Sequence, residues 1–311
     1  DELDYRKERQ NAAKFEASLA FLGFVTTPIV LDKYSSSRVL VSEWVAGAHL
    51  SALPVERGLL MTRMAVEACT ASLVLTGYVH ADPHEGNLML ADDGRLVFLD
   101  FGLMSDVHPN IMEAFARGIQ AALAEDWLSL AQCFKDTGFV NDPLQWRPQG
   151  SEDKYEPFGV DAATGEDLGM AKFAEELGAA MVDTEGGTSR FGALATVLNQ
   201  VLAPSWKMFT PPYILLLIRT FLTLEGIAER VDPDFNIYEM ALPWAMRRSL
   251  SPSSAAGVAS MRGTLLTDDN RVQWARLLEL FNEASSANKA GDESGATPSA
   301  GGGGGGAAVG A

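Results

Sequence analysis

Asp82, Asn87 and Asp100 fall within one stretch of 24 residues, "VHADPHEGNLMLADDGRLVFLDFG" (79–102). Two carboxylates and a carboxamide are hard oxygen donors, the kind of ligand that Mg²⁺ accepts. Between Asn87 and Asp100 the text "LML-AD-DG-RLVFL" reads as two β-rich runs, and Asp93-Gly94 favours a two-residue type I′ turn. In that register Asp92 faces Arg95 and Asn87 faces Asp100. Directly opposed residues hold their Cα atoms about 4.5–5.5 Å apart, so the amide and the carboxylate are expected to share one divalent ion while the apolar residues between them anchor the strands.

Asp82 precedes Asn87 by the spacing H-x-D-x-x-x-x-N of the protein-kinase catalytic loop, in which the Asp receives the nucleophile's proton and the Asn holds metal. "DFG" (100–102) then supplies a second metal carboxylate. Each piece alone is ordinary, since Asp-Pro begins many turns and Asp-Phe-Gly can simply end a strand. The loop, hairpin and DFG in this order carry the reading. Asp82 is expected to orient or deprotonate an attacking hydroxyl or water, and Asn87 with Asp100 to hold Mg²⁺. His80 and Gly102 are expected to support the loop. His84 shapes the loop or faces phosphate, at the place where ordinary kinases carry a lysine.

"HADPHEGN" (80–87) with "LDFG" (99–102) resembles the UbiB or aarF-type atypical kinase family, in which H-x-D-P-H-x-G-N replaces the usual H-R-D-L-K-x-x-N. "DELDYRKE" resembles the family's E-x-D element followed by the ion-pairing helix glutamate. The resemblance maps Glu2 and Asp4 to the first and Glu8 to the second. "LLLIRTFLTLEGIAERVDPDFNI" resembles the family's C-terminal helix and its L-D-P-D-F turn. The resemblance runs from residue 1 to about 245. It implies an α+β, protein-kinase-like fold comprising a partial N-lobe (1–48), a helical C-lobe (49–282) with an acidic insertion at 141–190, and a disordered Gly/Ala-rich tail (283–311). Glu43, Trp44 and Val45 become the connector between lobes, where adenine pairs with main-chain groups. The strand lysine, the phosphate-covering loop, the K-x-G-Q extension and any targeting segment would lie upstream of Asp1, so the chain is expected to be a fragment, inactive alone, with Glu8 turned outward, protonated or given a substitute partner.

The resemblance implies ATP and Mg²⁺ as cofactors and a Mg²⁺-dependent kinase or ATPase linked to isoprenoid-quinone or lipid metabolism, in a plastid or mitochondrion. A prenyl lipid or quinone precursor is an expected partner, as is peripheral association with a membrane or lipid droplet. Trp206 and Met208, beside Pro211-Pro212, would be natural walls of a hydrophobic site. Two other readings stand beside this one. A pseudokinase-like regulator would bind nucleotide or lipid without turnover, with the E-x-D carboxylates restraining transfer. A small-molecule kinase of the aminoglycoside or choline type shares the loop spacing but gives no reason for "DELDYRKE" and "DFG" together. No A-P-E triplet follows "DFGLMSDVHPNIMEAF", which leaves little from which to build a peptide-docking platform.

Composition limits the alternatives. The chain has 311 residues, of which 24 are Lys or Arg and 41 Asp or Glu, for a net charge of −17. That charge argues against a sequence-independent grip on nucleic acid. With 47% hydrophobic residues the chain can bury a substantial core. The apolar stretch 211–230 is interrupted by Arg219 and reads as a buried helix, not a membrane span. Cys69 and Cys133 lie in apolar helical text and are expected to be free, buried thiols.

The elements that must position the site follow from periodicity. Glu8, Ala12, Phe15 and Leu19 share one face of a helix over 2–21. Short strands are expected at 28–32 and 38–43, and a long helix over 55–76 ending at Gly77. Helices follow near 109–124, 126–137, 191–203 and 212–229, with short helical pieces such as 169–182 inside a surface insertion or connector.

Overall fold

A computed structural model describes residues 4–150, 154–159, 167–184, 190–209, 212–233, 235–254, 257–258 and 261–262. Glu2 and the tail 283–311 lie outside the described residues.

The first helix, α1 (Tyr5–Ser18), buries Ala12 and Phe15, and Leu19 just beyond its end is fully buried as well. Glu8 continues that stripe half-buried. Phe15 sits edge-on to Phe98 (centroids 4.9 Å apart) and close to His80 and Phe101 (6.0 and 5.7 Å). The helix is thereby fastened to the motif-bearing strands by aromatic packing, and Phe15→Ala would cost about 3–5 kcal/mol.

The strands expected at 28–32 and 38–43 do not form; the two segments meet instead as an irregular hairpin without a ladder. Val30 and Ser42 make a single bridge, reinforced by Leu31 N–H to Val41 O (2.8 Å) and Glu43 N–H to Ile29 O (2.9 Å). Four short strands form a sheet in the order β1-β5-β4-β2: β1 (Val25–Thr26), β2 (Gly47–Ala48), β4 (Leu88–Ala91) and β5 (Leu96–Phe98). β3 (Tyr78–His80) pairs antiparallel with β6 (Met104–Asp106) in a separate ribbon. The H-x-D loop therefore runs between β3 and β4, and the DFG between β5 and β6.

The hairpin register differs from the expected one. Leu88 pairs with Phe98 and Leu90 with Leu96, so Ala91 stands opposite Arg95 and Asn87 opposite Leu99. The connection is three residues long, not two. Gly94 N–H closes a turn on Ala91 O (3.0 Å), and Gly94 itself takes φ +88°, the left-handed geometry that completes a three-residue hairpin loop. Asp93 supports the wider loop by accepting from the Arg95 main-chain N–H (3.0 Å) and from its Nε (2.8 Å).

Helices make up the rest: α2 (Val55–Ala71), α3 (Pro109–Leu123), α4 (Trp127–Asp136), α5 (Leu168–Thr184), α6 (Arg190–Thr196), α7 (Pro212–Val231) and α8 (Ile237–Leu250). A π-helical turn, Ser72–Thr76, extends α2 to Gly77 (φ +70°), where a Cβ would strike the Met112 sulfur and the Val107 carbonyl, each at 2.8 Å. α5 is longer and deeper than an insertion predicts, with Phe173 and Leu177 fully buried. Trp206 is 1% exposed, donates to Glu176 (2.6 Å) and packs on Phe158 and Phe173. It is a core residue and not a ligand wall. One continuous core runs from Ala12 to Ala245. Cys69 and Cys133 are free and buried, and burial pushes each thiol up to about 12.

Among the described residues, Val55–Thr76 is the one helix long and apolar enough to cross a membrane, and 72% of its most apolar 18-residue stretch is buried within the fold, as in the core helix of a globular protein.

Candidate functional site

His80, which is 1% exposed, organises the motifs. Its Nδ1 accepts the Asp82 N–H (3.2 Å), and its Nε2 donates to the Asp100 carbonyl (2.5 Å). These two bonds fix one neutral tautomer, and burial holds the ring's pKa below its usual value even though the Asp100 carbonyl pulls the other way. One ring thus ties the start of the H-x-D loop to the start of the DFG.

Asn87 is buried, and its Nδ2 donates to the Asp82 carbonyl (3.1 Å). That bond closes the loop on itself and directs the amide oxygen away from it. Asp100 is exposed, and its Oδ1 accepts the Gly102 N–H (2.8 Å). Asn87 Oδ1 and Asp100 Oδ2 form no hydrogen bond among the described residues. Two hard oxygens suit Mg²⁺, which keeps several waters and substrate phosphates in its shell in preference to an all-protein cage. No cluster of three or more His, Cys, Asp or Glu able to hold a metal occurs among the described residues.

α1 grips the DFG from the other side. The Phe101 N–H faces Glu8, and Asn11, one turn on, donates to the Phe101 carbonyl (2.9 Å) while accepting from the Tyr78 hydroxyl (2.8 Å). Burial and the neighbouring Asp100 charge raise the Glu8 pKa, and the Phe101 N–H offsets part of that rise. Asp4 is engaged elsewhere. It caps α1 through the Arg6 N–H (3.1 Å) and forks the Arg6 guanidinium (3.0 and 2.9 Å).

Asp82 is partly exposed, and both of its oxygens have nitrogen neighbours. Oδ1 is 2.8 Å from Arg219 Nη2 of α7, and Oδ2 is 3.8 Å from His84 Nε2. Arg230, three turns further along α7, pairs with Glu85 of the same loop. Asn11, Arg219 and Arg230 were not foreseen as site residues. Eleven-residue spacing returns a helix to the same face, so the arginine pair on α7 was readable as a stripe, but nothing in the sequence says what that stripe meets.

Glu43 is exposed and Val45 half-buried. Val45 and Leu99 pack on Met89, Ala91 and Val97, a small apolar cluster apart from the main core. Asp92 N–H anchors the connector at Ala46 O (3.0 Å), and no hydrogen bond to the Val45 N–H is found among the described residues. A separate apolar cavity of about 100 Å³ lies among α3, α4, α6, α7 and α8, lined by residues including Phe115, Cys133, Phe134, Phe191 and Phe221. Trp206 and Met208 do not line it.

A loop and DFG of this kind on an α+β scaffold define a protein-kinase-like protein whose loop chemistry departs from that of ordinary kinases. Residues 1–134 match the ABC1 atypical kinase-like domain and residues 190–236 the UbiB helical domain, and the chain belongs to this ABC1/UbiB atypical kinase-like family. It is 29% identical over 283 residues to an aarF domain-containing protein kinase, chloroplastic, of Arabidopsis thaliana, covering 91% of this chain and 37% of that protein. It is 28% identical over 292 residues to Activity of BC1 Complex Kinase 3, chloroplastic, of the same plant, covering 91% and 37% respectively. A Synechocystis protein is 28% identical over 294 residues, covering 92% of this chain and 40% of its own length. The chain thus spans less than half the length of these relatives. The solved complex of Rv3197 with erythromycin from Mycobacterium tuberculosis aligns with TM-score 0.48 and 20% identity, over 77% of this chain and 57% of that one.

Proposed function

We propose that this chain carries the nucleotide-handling half of a Mg²⁺-dependent atypical kinase or ATPase. The observation that carries the reading is the pair of bonds from His80, which couples the start of the Asp82 loop to Asp100, with Asn87 tied to the same loop through the Asp82 carbonyl. Asn87 and Asp100 would hold Mg²⁺, which would neutralise charge on the nucleotide phosphates. Asp82 would accept the proton of the attacking hydroxyl or water. Val45, Met89 and Val97 would floor the adenine site, and the free Val45 N–H is suited to a ring nitrogen. Glu8 would hold the DFG segment in place through Phe101. Calorimetric titration with Mg·ATP tests this reading. Binding that is lost with EDTA and weakened about tenfold or more by Asp100→Asn is expected, and binding indifferent to both would remove the metal assignment.

One observation favours a binding role without turnover: the Asp82 carboxylate is already occupied by Arg219. Loss or persistence of turnover in Asp82→Asn separates the two readings.

A role in isoprenoid-quinone or other lipid metabolism draws its support from the apolar cavity, which would admit a single ring or a short branched chain. A plastid location draws its support from the chloroplastic relatives.

A further inference from the structure

Phosphates brought to Asp82 and Asp100 need positive charge beyond a single metal ion, in a chain whose net charge is −17. The loop position occupied by lysine in ordinary kinases is His84. Its Nδ1 accepts the Gly86 N–H (3.1 Å), and the loop 80–87 itself contains no lysine or arginine. The cation that does reach the loop carboxylate comes from another part of the fold. Arg219 projects from α7, 60% exposed, with Nη2 at 2.8 Å from Asp82 Oδ1. The contact joins residues 137 positions apart in sequence.

We propose that Arg219 supplies the charge that the loop lacks. It rests on Asp82 in the nucleotide-free protein and transfers to a non-bridging oxygen of the terminal phosphate when Mg·ATP binds. The inference rests on the reading of Asp82, Asn87 and Asp100 as the nucleotide site. A base that takes a proton from the attacking group must lie within one small group's length of the phosphorus, so a guanidinium already on that base is within side-chain rotation of the phosphate. An ion pair with one partner this exposed contributes little to stability, so release is easy. A guanidinium also binds two phosphate oxygens side by side as readily as it binds a carboxylate. Arg230, the other α7 arginine that meets this loop, pairs with Glu85 and not with Asp82. Departure of Arg219 would also free Asp82 to accept a proton, so that base and phosphate site become competent together.

The experiment compares Mg·ATP and Mg·ADP binding by calorimetry, using the full-length gene product carrying this chain. Arg219→Ala is expected to weaken Mg·ATP by about 10- to 100-fold, the loss of one charge-assisted contact, while Mg·ADP changes less than about twofold. Arg219→Lys is expected to recover part of the difference. Arg230→Ala is expected to leave the ATP to ADP ratio unchanged. Equal weakening of both nucleotides, or of neither, overturns the assignment of Arg219 and leaves the nucleotide site standing. A wild-type protein that binds neither nucleotide overturns the site itself, and the assignment with it. Unchanged thermal midpoints in the variants exclude misfolding as the cause.

Discussion

His80 and Asp100 are joined by a 2.5 Å hydrogen bond from the imidazole Nε2 to the main-chain carbonyl, and the opposite ring nitrogen receives the Asp82 N–H. The ring is 1% exposed, so both of its nitrogens depend on these two partners in place of water.

His80→Phe keeps the aromatic packing and removes both bonds. Two partly buried main-chain groups lose their partner, so the variant is expected to be about 1–3 kcal/mol less stable at pH 7.5. It should also change the pH dependence. The unfolded imidazole titrates at about 6.5, and burial lowers the folded value. Between the two the unfolded chain binds the extra proton, so this contribution is complete above about pH 6.5 and is lost as pH falls toward the folded value. Urea midpoints measured from pH 7.5 down to 5 should show that slope in the wild type and a flatter one in the variant. Equal slopes would mean that the ring's protonation is not linked to folding.

Glu8 behaves in the opposite sense. Its folded pKa is raised by burial and by the Asp100 charge. Its favourable contribution is therefore present below the unfolded value of about 4.3 and is lost as pH rises through the folded one. Glu8→Gln, which can still accept from the Phe101 N–H, should raise stability at pH 7.5 by no more than about 1 kcal/mol, because the group is only half-buried. At pH 3.5 the variant and wild type should coincide. A variant less stable than wild type at pH 7.5 would show that the carboxylate has a cationic partner in solution.

Gly94 sets the hairpin register through its φ of +88°, and a Cβ there would meet nothing within 4 Å. Gly94→Ala should therefore lose about 1–2 kcal/mol from backbone strain alone. Gly94→Asn should lose less, since Asn tolerates the left-handed region. Thermal melts of the pair check this, and equal losses would point to a cause other than backbone conformation.

Asp82→Asn leaves the loop's main-chain bonds in place and removes the base. In a full-length enzyme, turnover should fall by about 10²- to 10⁴-fold with little change in thermal midpoint. Turnover equal to wild type would leave nucleotide binding as the function.

The motif itself was legible because its chemistry is local. The spacing of His80, Asp82 and Asn87 places three side chains on one short loop whatever surrounds it, and the Ala12–Phe15–Leu19 stripe likewise predicts which face of α1 is buried. The register was misread because Asp93-Gly94 is compatible with two loop lengths. The choice fell to Asp93, whose carboxylate binds Arg95 and supports the longer one. As a result Asn87 stands opposite Leu99, and Asp100 begins the chain beyond the strand instead of pairing within it. α8 went unplaced because Pro243 interrupts its pattern. Packing against α3 and the Asn236 cap, which accepts from the Tyr238 and Glu239 N–H groups, outweighs the missing donor. Arg219 was read only as an interruption of an apolar run, because no local pattern records a contact made across the fold.

The two sequestered cysteines give the protein a built-in chemical clock. With each thiol pushed up to about 12, almost none of the sulfur is ionised at pH 8 in the closed molecule, and alkylating reagents or peroxide must wait for an opening event. Cys69 reports on the long central helix, whereas Cys133 lies on the cavity wall. A small hydrophobic guest seated there would therefore slow labelling of one sulfur and leave the other as an internal reference.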